Sequence, residues 1–91
     1  MNIPKAYSMT SPSGHSIVAN QIVIRTGTMD VFQSYNTTIA IRQNGEITLD
    51  RNSWDYSTTT GKYRNQFLGE DKEATRKKIE SGEYKLANLN A

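Results

Sequence analysis

The sequence predicts a single α+β domain in which a small antiparallel sheet of three to five strands is followed by two short C-terminal helices. Up to about residue 50, Ile, Val and Thr dominate short runs, whereas Lys, Glu, Asn and Ala dominate the remainder. The dipeptide Asn44-Gly45, flanked by apolar residues, is a strong hairpin signal. A length of 91 residues suits one hydrophobic core. We therefore assign residues 1–91 to one domain, with a β section over about 5–53 and a helical section over about 57–91.

The first hairpin is predicted from two apolar runs separated by a glycine. Residues 16–25 are apolar almost without interruption, a pattern typical of a central strand that is covered on both faces. The run stops at Gly27, and residues 29–35 resume as a second strand with apolar residues at alternate positions. We expect these two segments to pair in an antiparallel arrangement.

The second hairpin allows a prediction of register. A two-residue loop at Asn44 and Gly45 would divide the apolar residues between the two faces of the hairpin, which the period of two disfavours. A three-residue loop that begins at Gln43, with Gly45 at positive φ as a bulge, instead places Ile41 opposite Ile47. One face of the hairpin is then apolar and the other polar. We therefore predict the three-residue loop.

Two helices are predicted near residues 59–68 and 71–81. Threonine hydroxyls precede the first segment and Gly69 follows it, while Asp71 and Gly82 mark the ends of the second. The apolar face of the second helix is thin, so we expect that helix to lie on the surface. The tyrosine and leucines of the remaining C-terminal residues are expected to pack back onto the domain.

The composition argues against an enzyme. The chain has no cysteine, which excludes disulfides, thiolate zinc sites and a cysteine nucleophile, and its single histidine, His15, has no second histidine with which to hold a metal. The glycines are too widely spaced for a phosphate-binding loop. A deep active-site cavity would also remove core that so small a domain needs. We expect no catalytic residue, metal or cofactor, and neither an export signal nor a membrane span.

Candidate binding residues concentrate in the C-terminal half, which carries all of the formal net charge of +2. Aromatic and cationic residues alternate between positions 54 and 67, a mixture that can bind nucleic acid or a protein surface. Two of its aromatic residues, Trp54 and Phe67, are expected to cover the sheet. A second cationic run lies on the second helix among glutamates, so a solvated helix surface is its competing interpretation. The candidate binding residues are Tyr56, Lys62, Arg64, Arg76, Lys77 and Lys78.

One segment resembles a known group of proteins. Between Tyr35 and Gly69, the chain contains the pattern W-x-Y-S-x-T-T-x-K-x-R-x-x-F-L, which spans Trp54 to Leu68. This pattern resembles that of small uncharacterised proteins carried by tailed bacteriophages. The resemblance implies a phage origin and supplies no catalytic residues.

The resemblance also suggests two functions. A short, cysteine-free accessory phage protein without catalytic motifs looks like those that bind and inhibit a host machine, including CRISPR effectors and other defence systems. The expected partner is then a host protein or ribonucleoprotein complex in the host cytoplasm. The alternative is a nucleic-acid-binding accessory protein that uses the C-terminal basic and aromatic surface. These two differ in salt dependence, because phosphate binding weakens steeply with salt.

Overall fold

The computed structural model describes residues 5–11, 14 and 16–90, which form a six-stranded sheet and two helices. The strands follow chain order across the sheet. Each pair of adjacent strands from β1 to β5 is antiparallel, and β6 runs parallel to β5. In chain order the elements are β1 (Lys5–Thr10), β2 (Ile17–Thr26), β3 (Met29–Ser34), β4 (Thr37–Gln43), β5 (Glu46–Asp50), α1 (Thr58–Leu68), α2 (Lys72–Glu80) and β6 (Lys85–Ala87).

The α+β class and the order of sheet before helices are confirmed, but the strand count is not. Five strands lie within the predicted β section, and the sixth, β6, follows the helices. The total of six exceeds the predicted three to five. A three-residue strand such as β6 is too short to show a period of two, and its pairing with β5 depends on the path of the helices.

The first hairpin is confirmed, whereas the expected covering of β2 on both faces is wrong. Strands β2 and β3 pair with Ile24 opposite Val31. Helix α1 covers one side of the sheet, where Phe67 stacks on Phe32 with ring centroids 5.7 Å apart. On the other side Ile24 and Val31 are only half-buried, and Ile17 at the start of β2 is 78% exposed.

The second hairpin has the register that the sequence analysis rejected. Its loop has two residues, Asn44 and Gly45, with φ of 52° and 79°, as a primed turn requires. Arg42 lies opposite Ile47, and Ile41 does not pair with Ile47. Positive φ at Gly45 was expected, but a two-residue primed turn requires it as well, so it does not distinguish the two loops.

The register is explained by apolar contacts on both faces of the sheet. Ile41 pairs with Val31 on the half-buried face, so it does not need to join Ile47 under the helix. Arg42 takes the helix-facing position, where its guanidinium lies 4.5 Å from the Phe67 ring centroid. It also donates to the Phe67 carbonyl at 3.0 Å and to Asp30 at 3.3 Å. These contacts stabilise an arginine where an apolar residue was expected.

The core lies between the sheet and α1. It consists of Met9, Val23, Phe32, Ile39, Ala40, Leu49, Tyr63, Phe67 and Tyr84. Trp54 is half-buried against this core, so the predicted structural roles of Trp54 and Phe67 are confirmed. Helix α1 ends at Gly69, whose φ of 73° is the left-handed conformation that favours glycine at this position.

The end of the chain is held by two carboxylates. Glu70 accepts hydrogen bonds from Thr75, Lys78 and Tyr84 at 2.6, 2.6 and 2.9 Å. Asp50, which is 2% exposed, accepts from the Leu89 N–H at 2.9 Å. Helix α2 has a single buried residue, which confirms that it lies on the surface. Tyr84 belongs to the core and Leu86 packs against it, as expected for the C-terminal residues.

Candidate binding groove at the start of helix α1

A groove of about 450 Å³ opens beside the N-terminal end of α1. Its walls come from the loop before α1, the first two turns of that helix and the beginning of α2. The charged side chains that line it are Asp55, Lys62, Arg64 and Lys72, together with the exposed aromatic Tyr56. Three predicted site residues, Tyr56, Lys62 and Arg64, therefore meet in one place.

The local geometry follows from the capping of α1. The side chain of Ser57 accepts from the Thr60 N–H at 3.0 Å, and its carbonyl accepts from the Gly61 N–H at 3.0 Å. Thr60 is buried, and its hydroxyl bonds to that of Ser34 on β3 at 3.0 Å. The Ser57 cap and this cross-link fix the start of α1 against the sheet, and so fix the groove.

Arg64 forms an inner wall of the groove and is not the exposed contact that a surface site would use. Its side chain is 1% exposed and donates to the Trp54 carbonyl at 2.6 Å and to Asn65 at 2.9 Å. The Asp55 carboxylate lies 3.6 Å from Nη1, and Nε has no hydrogen-bond partner in the part of the chain that the structure describes. Desolvation by burial lowers the pKa of Arg64, against the opposing effect of Asp55.

The outer part of the groove is accessible. Tyr56 is 50% exposed and Lys62 is exposed on the second turn of α1. Lys72 lies 3.2 Å from Asp55 and therefore shares that carboxylate with Arg64. Three cations and one carboxylate line the groove, which gives it a formal charge of +2 (3 − 1).

The second cationic run lies outside the groove. Arg76 bonds to Glu73, Lys78 lies 2.6 Å from Glu70, and Lys77 is exposed. The structure therefore separates Arg76, Lys77 and Lys78 from the other candidates, since none of the three lines the groove.

Two charged residues of the groove, Asp55 and Lys72, were not among the predicted site residues. Asp55 lies inside the motif between Trp54 and Tyr56, which was a usable signal. Lys72 reaches the groove only because α2 begins beside α1, and no local pattern reports that arrangement.

The described part of the chain contains no group of three or more His, Asp or Glu side chains placed to hold a metal ion. His15 lies outside the described residues. Within those residues, neither helix has the length and apolar character needed to cross a bilayer.

Comparison with known proteins places the chain in a family. No curated protein and no solved structure matches it. The family described as a family of unknown function (DUF8033) matches residues 5–83, a span that runs from the first strand to just beyond the second helix. Because the match covers most of the chain, this protein belongs to the DUF8033 family.

Proposed function

We propose that this protein is a phage-encoded, non-catalytic binding protein that inhibits a host macromolecular machine by occupying part of its surface. A defence complex such as a CRISPR effector, in the host cytoplasm, is the partner that the phage resemblance favours. The contact surface is the groove beside α1, with Tyr56 and Lys62 as the accessible residues.

The pairing of charges supports a protein partner over a nucleic acid. Six of the eleven Lys and Arg residues form an ion pair with a carboxylate of the same chain. A nucleic-acid surface needs a row of cations that are free to replace counterions around phosphates. Aromatic and arginine side chains within a mixed-charge rim are instead typical of protein interfaces.

Nucleic-acid binding is the second candidate, and one observation favours it. Lys62 and Lys77 are exposed, and neither is paired with a carboxylate within the described residues. Lys62 and the exposed ring of Tyr56, which line the same groove, provide a small platform for stacking and phosphate contact.

The test is co-purification of tagged protein with host complexes, followed by an activity assay of the recovered complex with the added protein. Tyr56→Ala with Lys62→Ala is the variant that should lose binding and inhibition. A matched control changes Tyr7, which is 48% exposed, and Lys77 to Ala. The control lies outside the groove and should behave as the wild type.

Salt separates the two candidates. A protein complex held by a mixed interface should persist when salt is raised from about 50 to about 200 mM, whereas phosphate binding through one or two lysines should fall about three- to twelvefold. Recovery of nucleic acid alone, in a strongly salt-sensitive manner, would overturn the protein-partner proposal in favour of its rival.

A further inference from the structure

The first turn of α1 contains backbone N–H groups that have no acceptor among the described residues, and one of its residues, Thr58, lines the groove. Helix N-termini carry a partial positive charge and unpaired N–H groups. In α1, Ser57 accepts hydrogen bonds from the N–H groups of Thr60 and Gly61, and the first turn contains no acidic residue. The N–H groups of Thr58 and Thr59 have no acceptor within the described residues, and Thr58 lines the groove.

A second observation at the same place is the Nε of Arg64, since both Nη atoms of this guanidinium donate hydrogen bonds but Nε does not. This side chain is 1% exposed and lines the groove, and its Nε has no acceptor among the described residues. Its nearby carboxylate, Asp55, lies closer to Lys72 than to Arg64, at 3.2 Å against 3.6 Å. A buried cation is costly unless it is fully paired, and here two cations share one carboxylate.

The groove is therefore short of negative charge. Lys62 adds a third cation, which has no carboxylate partner within the described residues. The missing counter-charge would be supplied by an oxyanion placed between the Lys62 and Lys72 ammonium groups and the start of α1.

We infer that the groove binds the carboxylate of an acidic side chain presented by the protein partner. This inference rests on the proposed function and names the chemistry of the contact. The exposed ring of Tyr56 at the edge of the groove offers apolar area to the residues that flank such a side chain. Lys62 and Lys72 provide the charge, and the Thr58 N–H provides a directional donor.

The test uses small probes, so it does not depend on finding the partner. The ¹⁵N-labelled protein is titrated with a blocked tetrapeptide that contains two aspartates, and with the same peptide carrying asparagines. The aspartate peptide should shift the amide resonances of Thr58 and Thr59, and the asparagine peptide should not. Lys62→Gln should weaken binding about three- to tenfold, the effect of losing one exposed charge-assisted contact.

Lys77→Gln is the matched control, since Lys77 is also exposed and lies outside the groove. It should leave the affinity within about twofold, as expected for a screened charge beyond direct contact. Neither lysine is buried, so both variants should fold.

Three results would overturn the inference: no shift at Thr58 and Thr59, equal binding by Lys62→Gln and the wild type, or tenfold tighter binding of inorganic phosphate or a dinucleotide than of the aspartate peptide. If the peptide fails but host complexes are still recovered, the carboxylate contact is wrong and the proposed function stands. If the peptide binds but no complex is recovered or inhibited, the proposed function fails.

Discussion

Replacement of Arg64 by alanine should destabilise the fold substantially, although an exposed arginine would be dispensable. The change removes the hydrogen bonds to the Trp54 carbonyl and the Asn65 side chain, and the packing of the guanidinium 5.4 Å from the Trp54 ring centroid. A hydrogen bond to a charged group contributes roughly 1.5–3 kcal/mol, and the lost stem packing adds about 1 kcal/mol. Release of the desolvated charge offsets part of this loss.

The net expectation is a loss of about 2–3 kcal/mol in the free energy of unfolding. For a domain of this size, that lowers Tm by roughly 8–24 °C. Asp55 is 31% exposed and keeps Lys72 as a partner, so the substitution leaves no buried carboxylate unpaired.

Urea unfolding followed by far-ultraviolet circular dichroism measures the loss without relying on Trp54, which Arg64 contacts. Arg64→Met separates the stem from the charge and should recover about 1 kcal/mol. Lys62→Ala, on the exposed side of the same helix, should change stability by less than about 0.5 kcal/mol. A cost below about 0.5 kcal/mol for Arg64→Ala would refute the structural role.

Three further predictions concern a glycine in α1, the turn at Asn44 and the part-buried carboxylate of Glu70. Gly61→Ala should stabilise by about 0.5–1 kcal/mol in the same urea assay, because Gly61 is helical and an added Cβ would meet Arg64 at an ordinary 3.6 Å. A loss of stability would contradict the described packing. Asn44→Val should destabilise by about 1–2 kcal/mol, since Asn44 has φ of 52°, whereas the three-residue loop would not require this residue to be left-handed. Burial raises the pKa of Glu70, but hydrogen bonds from Lys78, Thr75 and Tyr84 outweigh it and hold that pKa below its usual 4.5. Glu70 therefore stabilises the fold above pH 4.5 and loses this contribution as the pH falls through its folded-state pKa; Glu70→Gln should flatten the acid limb of a stability–pH curve, and an unchanged curve would contradict it.

Local sequence patterns predicted most elements, because the residues that begin and end a helix or a turn are close to it in the sequence. The two helices begin and end close to their predicted limits, since Asp71 and Gly69 act as caps whatever lies around them. The first hairpin was predicted for the same reason. The turn at Asn44 and Gly45 was found, but its register was not, because that depended on whether one or both faces of the sheet carry apolar residues.

The candidate groove was only partly predictable. Tyr56, Lys62 and Arg64 line the same groove because the motif that contains them spans the start of α1 and the loop before it. The burial of Arg64 could not be deduced, because the sequence of an aromatic-rich segment does not show whether its arginine is exposed or packs against a tryptophan. Lys72 lines the groove because α2 packs beside α1, and the local sequence around Lys72 does not specify that packing.

The parallel pairing of β6 with β5 has a consequence for the order of folding. Strands β1 to β5 are joined by short connections, so their contacts close small loops, whereas Thr48 meets Lys85 only after both helices have been traversed. Closing that longer loop costs more chain entropy and is rewarded late. Strands β1 to β5 can therefore assemble first, with β6 pairing with β5 as the final step. Substitutions in β6 would then mainly raise the rate of unfolding. The stability of β6 would therefore set the lifetime of the native state.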